Sequence, residues 1–383
     1  MFLTLRDLRF ATGRFVLMGS VVALISLLLV MLSGLTAGLG GQNTAAIDRL
    51  GEQGVQRLVF GGAAGQEPTA SFTQSEFSVA QRDAWAATDG VASVEPLGVS
   101  QGRAIGLEHP VDTDPQGRAD VSGEPTTGVA TTAFIGLTPG GSDAPAGVEP
   151  GQIVLSQDVA DSLHAQAGDA VAVSGFVYTV ADVVPTEYYS HSPVTWLALE
   201  DWNAISHTAD DAVLGTAGLV RFDAGADVDA VAAAGDDAAG TVAETVKGSY
   251  AALPSYRSEN GSLMTMQGFL YGISALVVIA FLSIWTVQRT RDIAVLKALG
   301  GSNGWVLKDS LAQAAFVLVG GVAVGTGLAA VIGAFAGRAV PFELSWATTA
   351  VPAAGVLVLG MLAAVIAVYR VTRIDPLVAL GGN

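Results

Sequence analysis

Hydrophobic and polar positions follow two regimes along this chain. Four stretches, 15–39, 268–287, 310–337 and 348–369, hold no acidic or basic side chain. About 20 apolar residues in a helix cross the roughly 30 Å hydrocarbon layer of a bilayer, so each stretch predicts a transmembrane helix. Between the first and second the pattern changes. Alternating or β-rich segments occur at 71–77, 91–99, 151–156, 171–174, 176–184, 194–199 and 219–222, with 129–137 less regular. Helical spacing occurs at 80–87, at 157–163 behind a capping Ser156, and at 227–234. Residues 42–59 place Ile47, Leu50, Val55 and Leu58 among polar neighbours and predict a helical extension of the first span. Residues 108–128, rich in Pro, Gly, Asp and Thr, predict an excursion from the fold. The expected fold is a membrane α-helical protein with four transmembrane helices and an α+β domain, mostly antiparallel, inserted between the first two.

Charge orients this plan. Arg6, Arg9 and Arg14 precede the first span, Arg289, Arg291, Lys297 and Lys308 follow the second, and Arg370 and Arg373 follow the fourth. A basic excess marks the cytoplasmic side, so both termini are expected inside the cell membrane and the large domain outside. The first apolar run exceeds the 7–15 residues typical of a secretory signal core, so it reads as a retained span. The expected segments are an amphipathic helix at 1–14, spans at 15–39, 266–287, 310–337 and 348–369, the external domain at 40–265, an inner loop at 288–309 and a tail at 370–383. In the inner loop Ile293, Leu296 and Leu299 recur at helical spacing, Asp292 sits in the first turn and Gly300-Gly301 ends it, predicting a short amphipathic helix under the membrane. In the third span Gly321, Gly325, Ala329, Gly333 and Gly337 lie four apart, the spacing of a close helix contact in lipid.

Composition narrows the chemistry. The formal net charge is -17, and residues 41–260 alone hold 30 acidic against 8 basic side chains. Such a domain is unsuited to nucleic acid or anionic headgroups. With no cysteine there is neither disulfide nor thiolate chemistry. No G-x-x-x-x-G-K-[ST] loop is present, so ATP-driven work requires a separate nucleotide-binding subunit. His109, His164, His191 and His207 show no metal-ligand spacing, and no metal site is expected. Ser100 and Ser302 sit in G-x-S-x-G frames, but Ser302 follows a helix and has no histidine after it, and Ser100 follows a strand with little room before Gly106 and Pro110 for the helix of a nucleophile elbow. The chain reads as a non-catalytic membrane subunit.

Several stretches carry a resemblance. Arg291-Asp-Ile-Ala-Val-Leu-Lys-Ala-Leu-Gly-Gly-Ser302 resembles the short helix after the second span of MacB/FtsX-type (type VII) ABC permeases. Leu5-Arg-Asp-Leu-Arg-Phe10 and Arg373-Ile-Asp-Pro-Leu-Val-Ala-Leu380 agree with it. Gly151-Gln-Ile-Val-Leu-Ser156, followed by Gly168-Asp169, looks like the external domain of the same family. The resemblance implies a homodimer of permeases with two ATPase subunits that carry the ATP-Mg. It also implies coupling through Arg291, Asp292, Ile293, Leu296, Lys297 and Leu299. Glu187-Tyr-Tyr-Ser-His-Ser-Pro-Val194 looks like a stretch of haem-exporting permeases of the HrtB type, which implies haem as transported ligand rather than resident cofactor. Tyr, His and Met all serve as haem iron ligands, so Met31, Tyr189, His191, Glu259, Met264, Met266 and Tyr271 are the candidate substrate residues. An FtsX-like relay controlling an external cell-wall hydrolase, and extraction of lipid or lipoprotein, remain alternatives.

Overall fold

The computed structural model describes residues 12–62, 66–206, 212–288 and 303–372. The chain divides into two compact units, Gly40–Glu259 and a second built from Met1–Leu39 with Asn260–Asn383.

The second unit holds long helices: the first part of α1 (Thr12–Glu52), most of α6 (Pro254–Gln288), then α7 (Asn303–Ala336) and α8 (Trp346–Thr372). Among the described residues these four are long and apolar enough to cross a membrane. Their shared core begins with Phe15, Met18, Val22, Ile25 and Leu29 of α1, a three-and-four spacing that keeps one face inward. Against it pack Val278 and Leu282 of α6, Val317, Leu318 and Val322 of α7, and Val356, Ala363 and Ala367 of α8.

Glycines set how closely these helices approach. A Cβ on Gly325 would lie 2.2 Å from the Ala23 carbonyl oxygen of α1, and one on Gly321 would lie 2.9 Å from that of Gly19. About two turns beyond Gly325, Gly333 faces the ring of Phe342, which also fills the space over Gly34 of α1. The four-residue glycine spacing is thus a contact seam whose first half seats α1 and whose last part seats the turn after α7. In that turn Glu343 N–H donates to the Gly34 carbonyl at 3.0 Å.

At 41 residues α1 is about 60 Å long, twice the hydrocarbon thickness, so it outruns its apolar stretch. Its last turns belong to the first unit, where Ala46, Ile47 and Leu50 are buried in the core. Likewise α6 starts at Pro254, earlier than its apolar run, and α7 starts at Asn303.

The first unit is α+β. Its strands are β1 (Arg57–Phe60), β2 (Phe77–Ser78), β3 (Val91–Leu107), β4 (Thr126–Leu137), β5 (Gln152–Ser156), β6 (Ala170–Val173), β7 (Phe176–Val184), β8 (Tyr188–Tyr189), β9 (Ser192–Ala198), β10 (Val213–Gly215), β11 (Ala217–Phe222) and β12 (Val242–Thr245). The helices between them are α2 (Val79–Ala86), α3 (Gln157–Leu163), α4 (Leu199–Ile205) and α5 (Val228–Ala239). The main sheet runs β12-β1-β11-β3-β4-β9-β5-β7-β6. A further β3–β6 pairing closes the strands from β3 onward into a ring. Pairing is mostly antiparallel, with β4–β9 and β5–β7 parallel.

Four local expectations need correction. The helical extension read over 42–59 ends at Glu52, and Arg57–Phe60 form β1 instead. Residues 71–77 alternate but form a turn, entering a strand only at Phe77. The turn sends Phe72 and Phe77 inward, and Ser75 Oγ donates to the Gly61 carbonyl at 2.9 Å, so the alternation has no long ladder to join. Ser156 stands at the start of α3 without capping it, because its hydroxyl donates to the Val194 carbonyl instead. The excursion ends at Thr126, where β4 begins. By contrast Ser78 caps α2 through a reciprocal box with Gln81, and Asp227 caps α5 by accepting from Ala230 N–H at 3.3 Å.

Candidate functional site

The hairpin of β8 and β9 carries two candidate residues of the first unit. Its register pairs Tyr188 with Pro193 and Tyr189 with Ser192, leaving Ser190 and His191 as a two-residue turn. Such turns match strand twist when both central residues take positive φ, which favours Asn-Gly. Here Ser190 is at 48° and His191 at 64°. Left-handed backbone costs a residue with a side chain about 1–2 kcal/mol, so the turn persists because its surroundings hold it. Ser190 N–H donates to the Asn43 carbonyl at 3.1 Å and His191 N–H to the Gln42 carbonyl at 3.0 Å, both acceptors lying on α1.

The side chains continue this link to the start of α6. His191 Nε2 lies 2.8 Å from Glu259 Oε2, and Asn43 Nδ2 donates to the same oxygen at 3.2 Å. A carboxylate only accepts, so the imidazole N–H points at Glu259 with the Asn43 amide beside it. Asn43 Oδ1 accepts from Ser255 Oγ at 2.7 Å, and that oxygen is 2.7 Å from Ser190 Oγ. Six side chains from α1, the turn and α6 therefore form one polar group, with Gln42 Oε1 at 3.5 Å from His191 Nδ1.

Tyr189 is placed differently. It is 4% exposed, with its ring edge-on to Phe72 at 5.7 Å, and burial pushes its hydroxyl well above the ordinary range. It is a core ring, closed to a ligand. Its neighbour Tyr188 donates to Asp158, and that bond, followed by burial, pushes its pKa up to about 12. Glu187 pairs with Arg49 Nε of α1 at 3.5 Å, and the Arg49 guanidinium stands 5.4 Å over the Trp196 ring. Burial raises the Glu187 carboxyl above its usual range, with Arg49 opposing and Glu52 adding to the rise.

The remaining candidates lie in the helical unit. Met264 and Met266 on α6 are 62% and 54% exposed, whereas Met31 on α1 is half-buried. Tyr271 packs into the helical core against Gly355 of α8, where a Cβ would meet its ring at 2.8 Å. Arg291, Asp292, Ile293, Leu296, Lys297 and Leu299, the segments at 1–11 and 373–383, His207 and Ser302 lie outside the described residues. Ser100 sits inside β3, which continues to Leu107, and its hydroxyl accepts from Trp202 Nε1 at 3.0 Å, so no nucleophile elbow forms there. Among the described residues no group of three or more His, Asp or Glu is placed to hold a metal ion.

Sequence reasoning did not single out Gln42, Asn43 or Ser255. Their partners lie 65 to 216 positions away, and the one local hint is a buried asparagine placed just after Gly40-Gly41 in an otherwise regular helix.

Residues 264–376 match the C-terminal domain of FtsX-like permeases. A hemin transport system permease protein HrtB of Staphylococcus epidermidis is 22% identical over 382 residues, covering 99% of this chain and 98% of that protein. A namesake from Staphylococcus haemolyticus is 29% identical over 130 residues, 34% of this chain and just over a third, 37%, of that protein. The extracellular domain of the ABC-type transporter YknZ from Gram-positive bacteria overlays with a TM-score of 0.31 at 14% identity, covering 49% of this chain and 95% of that one. Residues 264–376 are thus similar to the C-terminal region of FtsX-like permeases, and among the described residues four helices are long and apolar enough to cross a membrane.

Proposed function

We propose that this chain is the permease of an ATP-driven exporter that extrudes haem from the membrane, working as a homodimer with two copies of a separate ATPase. The single observation that carries the haem reading is the alignment of 99% of this chain with a protein named for hemin transport. The absent phosphate loop assigns ATP to the partner. The basic flanks assign the cytoplasm to both termini and the cell exterior to Gly40–Glu259. In this reading Ile293, Leu296 and Leu299 press into the ATPase while Arg291 and Lys297 hold its rim and Asp292 caps the helix. The chain itself performs no catalysis.

Haem is a flat apolar macrocycle with two carboxylates, and its iron takes thioether, imidazole or phenolate ligands. The exposed thioethers of Met264 and Met266 favour them as ligands, with Met31 and Tyr271 as further contacts. Tyr189 is too deeply buried, and His191 and Glu259 are engaged with each other, which lowers their rank. The full chain in nanodiscs is expected to shift the Soret band of added haem. Met264→Ala and Met266→Ala together, with Met31→Ala as a third change, are expected to weaken binding at least about tenfold, or ~1.4 kcal/mol. An identical titration in every variant removes the methionines as ligands. No spectral change in the wild type removes haem and leaves the relay or lipid-extraction reading.

A further inference from the structure

The turn at Ser190–His191 does more than join two strands. It touches α1 through two backbone bonds and α6 through two side chains, Ser190 on Ser255 and His191 on Glu259, all within Gly40–Glu259. We propose that this turn is a releasable clasp, tying residues 40–52 of α1 to residues 254–259 of α6, and that its opening lets those two helix segments separate.

Three observations carry the proposal. The first is composition. Further along α1 the attachment includes apolar burial: Ile47 and Leu50 are buried in the core, beside the polar pairs of Asp48 with Tyr250 and of Arg49 with Glu187. At the turn the attachments are polar and reachable by water, with the His191 and Glu259 side chains 29% and 40% exposed. Water competes with such bonds, so this end opens at lower free energy than the apolar core. The second is strain. Both turn residues carry a side chain at positive φ, a conformation the neighbouring helix carbonyls stabilise only while α1 is in place. Loss of those acceptors removes what holds the turn, so release is cooperative rather than gradual. The third is the hinge. Gly40 and Gly41 stand immediately before Gln42, and two adjacent glycines weaken a helix where the clasp grips it. Beside them the Tyr256 ring comes 3.9 Å from where a Gly40 Cβ would lie, an ordinary van der Waals contact.

The purpose of such a clasp rests on the permease reading, in which the helices carry motion between spans and domain. Its existence is tested without any substrate. The chain contains no cysteine, so Ala45→Cys, half-exposed on α1, and Ser258→Cys, exposed on α6, accept two spin labels uniquely in the full chain in nanodiscs and leave both glycines in place. The wild-type clasp is expected to give one narrow distance distribution. His191→Ala is expected to raise a longer-distance population at least about fivefold, and Glu259→Gln to raise it less. The pair Ser190→Asn with His191→Gly supplies the turn's preferred residues and keeps the hairpin, while deleting the imidazole. It too is expected to broaden the distribution with hydrogen exchange of β9 unchanged. A narrow distribution retained in that pair and in Glu259→Gln overturns the proposal.

Discussion

Replacing Trp85 with alanine is expected to lower the unfolding free energy of the α+β unit by about 3–5 kcal/mol, the range for losing a large buried aromatic. Trp85 on α2 is 0% exposed and packs with Val59, Phe77, Val220, Phe222 and Ala232, so no surface collapse can refill its volume. The facing helix has already given way to it: a Cβ on Gly235 of α5 would stand 2.5 Å from the indole. Its Nε1 donates to Thr241 Oγ1 at 2.9 Å, and Thr241 in turn donates to Asp236 Oδ1 at 2.8 Å. That carboxylate also accepts from Ala243 N–H at 2.9 Å, which ties the end of α5 to β12. Trp85→Phe keeps most of the apolar burial and gives up this bond with part of the ring volume, so its cost is expected at about 1–2 kcal/mol. Denaturant unfolding followed by near-ultraviolet circular dichroism measures both. Equal losses in the two variants would mean that the hydrogen bond, and not the packed ring, supports this core.

Gly325→Val is expected to be the most damaging single change in the helical unit. The position meets a backbone oxygen of α1 at 2.2 Å from the added Cβ, and backbone cannot rotate away as a side chain can. Overpacking a formed contact costs about 1–3 kcal/mol and more where neither side yields, and here the first and third spans must part along the seam. Gly327→Val on the same helix is the control, since nothing lies within 4 Å of its added Cβ. Thermal unfolding in detergent is expected to fall clearly for Gly325→Val and to stay near wild type for Gly327→Val. Similar midpoints for the two would contradict close packing of α1 on α7.

How much of this was readable beforehand follows from which interactions are local. Four long uncharged runs have one common solution in lipid, a helix, so the spans were legible from composition. The glycine spacing was legible for the same reason, because it recurs every four residues on one face. The alternation at 71–77 misled because only Ser75 and Phe77 turn inward two apart, whereas Phe72, five positions before Phe77, is buried from a turn. The ring closure of β3 on β6 and the meeting of Asn43 with Ser255 and Glu259 join distant segments, which no spacing rule encodes. His191 was noticed for its chemistry, yet its position depends on backbone at positive φ that neither serine nor histidine announces.

The central claim is that a push from a separate ATPase moves haem out of the bilayer through this chain. The measurement that meets it most directly places the chain and its partner ATPase in liposomes carrying haem and follows bilayer-associated haem absorbance on addition of ATP-Mg. The account predicts an ATP-dependent fall that Leu296→Asp abolishes along with the ATPase's association. Sustained ATP hydrolysis by the intact complex, with bilayer haem unchanged, would contradict it.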